Sequence, residues 1–151
     1  MYRVDEIARS PEPLLRALQT GRPESLRCAK IKLTSQCNLR CRMCRYWRTP
    51  QETSLATDTW IRILDELTDL GCRKVHFSGG EVFLRPDFLD LVEHAAARGL
   101  RVNMTTNGTL LTPEAIRRLV AARAHSVSSS LDGPRPAIHD AVRGVAGSFR
   151  R

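Results

Sequence analysis

Strand-like and helix-like segments alternate along most of this chain, and that alternation limits its fold more than any other feature. Ala29–Thr34, Lys74–Ser78, Leu100–Thr105 and Ser126–Leu131 read as strands by alternation or β-branched content. Between them lie helical stretches. From about Asp58 to Leu70, Trp60, Ile61, Leu64 and Leu67 line one face, with Thr57 as the expected cap and Gly71 as the left-handed stop. Pro86 suits a first helical position, ahead of a buried face of Phe88, Leu91, Val92 and Ala95 that runs up to Gly99. Thr112-Pro113 starts a further helix, with Ile116, Leu119 and Val120 expected inward, and residues 136–143 can form a short one. The order β-α-β-α-β-α-β with short connections implies an α/β fold with a parallel sheet and right-handed crossovers. Residues 1–28 form a polar lead-in with a short helix expected around Pro13–Leu18, broken by Gly21 and Pro23.

The uncommon residues collect at strand C-termini. Cys37, Cys41 and Cys44 follow the first strand, Gly79-Gly80-Glu81 the second, Thr106-Asn107-Gly108 the third and Asp132-Gly133-Pro134 the fourth. In a parallel sheet those ends share one edge, where barrels and doubly wound sheets alike place their active sites. The N-terminus is too polar for a signal peptide, no apolar run is long enough to span a membrane, and the five cysteines are an odd number. These features point to the reducing cytoplasm, where clustered thiols bind metal or react. The net charge of +8 could attract nucleic acid, but acids are interspersed and aromatics are only 5%, which favours a solvated arginine-rich surface.

Three cysteines at C-x3-C-x2-C spacing, interleaved with Arg40 and Arg42, are more than a packing coincidence. A structural zinc site needs a fourth ligand. Cys28 and Cys72 lie at the wrong end of their βα units, and His76 is expected mid-strand as a core residue. An iron–sulfur cluster fits better, since thiolates are its usual ligands and three of them leave one iron open to a small molecule. The neighbouring arginines would favour the thiolates.

Together, Cys37-x3-Cys41-x2-Cys44, Gly79-Gly80-Glu81 beginning 35 residues later, Thr106-Asn107-Gly108 and Ser130-Leu131-Asp132-Gly133 resemble the radical S-adenosylmethionine (SAM) superfamily. The stretch 130–144 is similar to its branch of peptide maturases, cofactor-biosynthesis enzymes and the molybdenum-cofactor cyclase. The resemblance implies a partial TIM-type barrel over residues 29–151. It also implies a [4Fe-4S] cluster held by Cys37, Cys41 and Cys44, with SAM chelated to the open iron. Glu81, with the Gly79 and Gly80 backbone, would meet the methionine ammonium. Ser130 would offer its hydroxyl to the ribose or carboxylate, and Arg143 would pair with the SAM carboxylate. Asn107 would sit beside the cofactor, in a dipeptide that is also a common turn, and Asp132 reads as a turn or capping residue.

The implied reaction is reductive cleavage of SAM to a 5′-deoxyadenosyl radical that abstracts hydrogen from a peptide or small cofactor precursor. The electron would come from a flavodoxin- or ferredoxin-type one-electron reductant. The rival readings are a cluster-binding module without turnover and a zinc-bearing nucleic-acid binder. Met43 stands where the family usually has an aromatic residue. The family core also has more βα units than the four found here, so the expectation is a core incomplete at its C-terminus. The missing half would be supplied in cis or in trans, and the chain alone would be aggregation-prone and a weak catalyst.

Overall fold

The computed structural model describes residues 4–22, 26–48 and 55–151. In chain order the main elements are α1 (Val4–Arg9), α2 (Glu12–Thr20), β1 (Cys28–Thr34), α3 (Thr57–Asp69), β2 (Lys74–Gly79) and α4 (Phe88–Ala97). They are followed by β3 (Arg101–Thr106), α5 (Pro113–Ala121), β4 (Ser126–Ser129) and α6 (Pro136–Arg143). Short 3₁₀ turns cover Tyr46–Arg48, Val82–Leu84 and Ser148–Arg150. The strands form one parallel sheet in the order β1-β2-β3-β4. Right-handed crossovers in a sheet ordered by sequence place the connecting helices on one face, so the expected α/β architecture and its partial TIM-type curl are present.

The register gives that helix-covered face its chemistry. Ile31, Phe77, Met104 and Val127 align across the sheet, and Leu33, Val75 and Val102 alternate with them onto the same side. Leu64 of α3 and Phe88, Leu91, Val92 and Ala95 of α4 close over them, all 0% exposed. Phe88 packs edge-on against both Phe77 and Phe83, with centroids 5.9 and 4.9 Å away.

Several local expectations change in the folded chain. Ala56, not Thr57, occupies the N-cap of α3, and the Thr57 hydroxyl instead donates to Asp87 Oδ2 at 2.7 Å. Pro86 sits in the turn before α4 rather than in its first turn. On α5, Thr112 caps as expected and Leu119 is buried, but Ile116 and Val120 are 49% and 71% exposed. A crossover helix buries one stripe against its own strands, whereas the adjacent stripe needs a further neighbour, and none of the described residues covers it. β4 stops at Ser129, two residues short of Leu131, and pairs only with β3. The lead-in holds two helices rather than one, α2 ending at left-handed Gly21, and α2 buries no residue. Pro23, the expected breaker, lies outside the described residues.

Asp87 fastens α3 to the loop before α4. It accepts from Arg85 Nε at 3.0 Å and Nη2 at 2.6 Å besides Thr57. Burial pushes its carboxyl up, but the Arg85 and Thr57 bonds together outweigh this and hold it below the usual range. A depressed folded pKa contributes stability above the unfolded value, and that stability is lost as pH falls through the folded one. Asp87→Asn is therefore expected to cost about 1.5–3 kcal/mol at pH 7. In urea titrations the gap to the parent should narrow below about pH 4.

Candidate functional site

The site is assembled from the loops that leave the C-terminal ends of the strands. The register of β1 and β2 slips between Lys32 and Thr34, so Thr34 pairs with Gly79 where both strands end. Beyond that point the two loops lie one on the other. Gly80 N–H donates to Thr34 O and Glu81 N–H to Gln36 O, both at 2.7 Å. Gly80 has no room for a side chain, because a Cβ there would strike the Gln36 carbonyl.

Glu81 is 0% exposed, and its carboxylate holds the loops together from beneath. Oε1 accepts from the Thr106 hydroxyl at 2.7 Å and from Phe83 N–H at 3.2 Å, while Oε2 accepts from Asn107 N–H at 2.7 Å. The sequence expectation placed this carboxylate on a ligand ammonium. In the folded chain both of its oxygens are engaged by these three donors, an arrangement in which a buried charge is tolerated. The Asn107 side chain is likewise engaged, giving Nδ2–H to Asn38 Oδ1 at 2.7 Å and receiving both Thr109 N–H and its hydroxyl. Asn38 and Thr109 carried no motif signal of their own. Only the convergence of strand ends reveals them.

The cysteine loop is fixed to α6 through its backbone. Arg40 N–H donates to Arg143 O at 2.9 Å and Arg42 N–H to Val142 O at 3.0 Å. Gly144 ends α6 at φ 69° directly against the Arg40 carbonyl, so a Cβ would collide there. Leu39, 1% exposed, anchors the loop, and Cys41 O accepts from Cys44 N–H and from the Trp47 indole. This brings Cys37, Cys41 and Cys44 to the wall of one cavity of about 290 Å³, opposite Gly79, Gly80 and Ser130. Asn107, Asp132 and Arg143 also line it, so every strand end contributes. Of the nine residues expected at the site, Glu81 alone does not reach the cavity wall.

Arg143 is 9% exposed and points its guanidinium into this space. Nη1 lies 3.6 Å from Cys41 Sγ and Nη2 donates to Ser130 O at 2.9 Å. Nε touches Asp132 Oδ2 at 2.5 Å, yet the pair is misaligned, and neither atom has a hydrogen-bond partner. Asp132 lines the cavity and does not cap α6, whose N-cap is Arg135. Asp140 is structural. It receives Phe149 N–H, Gly147 N–H and the Ser148 hydroxyl, and these bonds, led by Phe149, lower its pKa.

All five cysteines are free thiols. Cys28 and Cys72 lie at the far end of the sheet, where Cys72 Sγ approaches Lys74 O, in line with their expected absence from the site. The arginines within the cysteine loop do not lower the Cys37 thiol. Burial pushes it up, as do Cys41, Glu81 and Cys44, against one opposing bond from Leu39 N–H. Arg40 and Arg48 instead lie over the Trp47 ring, 5.6 and 4.7 Å from its centroid. Among the described residues no three His, Cys, Asp or Glu side chains converge as ligands of a single metal ion. No described helix is long and apolar enough to cross a membrane.

The chain is 37% identical over 138 residues to an AdoMet-dependent heme synthase of Nitratidesulfovibrio vulgaris, which covers 90% of this chain and 37% of that protein. It is 39% identical over 126 residues to a PqqA peptide cyclase of Rhodopseudomonas palustris, covering 80% of the chain and 33% of the relative. It is also 42% identical over 125 residues to the mycofactocin maturase MftC of Mycobacterium ulcerans, covering 81% and 33%. The chain thus spans about a third of the length of the curated relatives it matches. Its fold is similar to Streptococcus suis SuiB bound to S-adenosylmethionine, at TM-score 0.76 and 18% identity over 96% of this chain and 35% of that one. The AdoMet-bound anSMEcpe structure matches at TM-score 0.67 and 22% identity, over 83% and 38%. The family model described as the Radical SAM superfamily matches residues 31–151, and the chain belongs to that superfamily.

Proposed function

We propose that residues 29–151 form the cofactor-binding part of a radical SAM enzyme that acts on a peptide. The observation that carries this reading is the meeting of three thiols, the Gly79–Gly80 backbone and the Arg143 guanidinium on one cavity. Cys37, Cys41 and Cys44 would hold a [4Fe-4S] cluster. Gly79 and Gly80 would present backbone polar groups to the SAM methionine, in a turn that only glycine can make because a Cβ would strike the Thr34 and Gln36 carbonyls behind it. Arg143, which lines the cavity beside Cys41, would take the SAM carboxylate, and Ser130 its ribose or carboxylate. Glu81 acts from below by holding the Thr106–Asn107 and Gly79–Gly80 loops in register. When bound and reduced by one electron from a flavodoxin- or ferredoxin-type donor, the cofactor pair supplies a 5′-deoxyadenosyl radical for hydrogen abstraction. A peptide substrate is supported by the PqqA peptide cyclase relative and by the fold shared with SuiB solved with its precursor peptide, at TM-score 0.77. Free thiols and an iron–sulfur centre suit a reducing compartment, the cytoplasm.

The test is anaerobic loading with iron and sulfide, then SAM and dithionite, with 5′-deoxyadenosine quantified. Arg143→Ala is expected to weaken SAM binding by about 1.5–3 kcal/mol at unchanged iron content, and Arg143→Lys by less. A loaded chain that binds no SAM would replace this reading with a cluster module lacking turnover.

A further inference from the structure

The sheet face turned away from the helices is basic and leads to the cavity. Lys30 and Lys32 of β1, Lys74 and His76 of β2, and Arg101 of β3 alternate with the buried core residues and therefore point to the opposite side. The register sets Lys74 beside Arg101 and Lys30 beside His76, with Asn103 and Ser126 continuing that row. None of the four strands contains an aspartate or glutamate. Among the described residues Lys30, Lys32 and Lys74 make no ion pair. Lys32 lies over the Tyr46 ring at 5.4 Å, and Arg101 donates to the His125 ring at 2.9 Å. His76 registers the charge around it: burial lowers its pKa first, and then Lys30, Lys74 and Lys32 each lower it further.

Among the described residues this face carries charge of one sign and is not packed into the hydrophobic core. It adjoins the cavity, because Lys32 is level with Ser78, which lines it, and the His76 ring bonds to the hydroxyl of Thr105, which lines it too. Lys30 and Lys32 are two residues apart on one strand, about 6.6 Å. An extended peptide repeats same-side side chains at the same interval. A single small carboxylate could meet only one of these cations, whereas acidic residues at alternate positions of an extended peptide would meet several.

We infer that Lys30, Lys32, Lys74 and Arg101 form a binding strip for an acidic, extended segment of the peptide substrate, which it guides towards the strand-end cavity. The inference rests on the radical SAM reading above and adds the charge and conformation of the substrate.

The test uses the chain without metal, so that its outcome is separate from cluster chemistry. A fluorescein-labelled peptide alternating glutamate and glycine, and its glutamine counterpart, are titrated by anisotropy. The glutamate peptide is expected to bind at least about tenfold tighter than the glutamine one. The double variant Lys30→Gln/Lys32→Gln should lose about tenfold, while Arg62→Gln/Arg117→Gln on the helix face should change affinity less than about twofold. Lys30→Glu/Lys32→Glu should reverse the preference towards a lysine–glycine peptide, and circular dichroism checks that each variant folds. Equal losses in the helix-face control, or no loss in the lysine variants, would overturn the strip. So would displacement of the peptide by free tricarballylate at equal carboxylate concentration, since the site would then be one for small polycarboxylates. Iron content and SAM binding, measured on the same variants after loading, should be unchanged; their failure in the parent chain would count against the radical SAM reading instead.

Discussion

Cys41→Ala is expected to abolish cluster assembly. The parent chain, loaded anaerobically, should take up about four irons with labile sulfide and show broad visible absorption. The variant should retain neither at stoichiometric level. Its backbone role should survive, because Cys41 accepts from Cys44 N–H and the Trp47 indole through its carbonyl and not its sulfur. Cys72→Ala is the matched control. That thiol is also buried, 4% exposed, but lies at the opposite end of the sheet, so iron content should hold while stability falls by about 1 kcal/mol. Stoichiometric zinc without sulfide, or a cluster lost equally in both variants, would remove the assignment of Cys37, Cys41 and Cys44.

Glu81→Ala should have the largest effect on folding. It would leave Phe83 N–H, Asn107 N–H and the Thr106 hydroxyl without their acceptor in a position that is 0% exposed. Breaking a buried charged network of this kind costs about 3–5 kcal/mol, a large share of the 5–15 kcal/mol available to a typical domain. The urea midpoint should fall accordingly. Glu81→Gln should lose less, since its one carbonyl oxygen still accepts while its amide NH₂ faces a donor. If stability were unchanged while SAM binding disappeared, the carboxylate would act on the ligand directly and its supporting role would be wrong.

Much of the fold was legible in sequence because its units are local. The alternation of period-two and period-3.6 segments identifies four strands and the helices between them, and short connections leave a parallel order as the compact solution. The site was legible for a related reason: a parallel sheet brings strand C-termini to one edge whatever its side chains are. Cys37, Cys41, Cys44, Gly79 and Gly80 were therefore identifiable as a group, whereas Arg143 was reached only through the family resemblance. Local pattern failed where a residue had two available partners. Thr57 stands where a cap belongs and bonds to Asp87 instead, 30 residues away. Ile116 and Val120 have helical apolar spacing, yet an apolar stripe does not specify what covers it.

The sequence by itself determined that this is an α/β chain with three thiols and a Gly-Gly-Glu turn at one sheet edge. Those properties follow from periodicity and from the topology of parallel strands. Tertiary structure alone decided what each group faces. Glu81 turns under the loops because three donors from two of them meet there. Arg143 reaches the thiols because the cysteine loop hydrogen-bonds to α6 across roughly a hundred residues of chain (Arg40 N–H to Arg143 O). The basic face exists only because register sets Lys74 beside Arg101 and Lys30 beside His76. Direction, burial and long-range pairing are properties of the packed chain, in which groups far apart in sequence compete for the same partners, and no local pattern encodes the outcome.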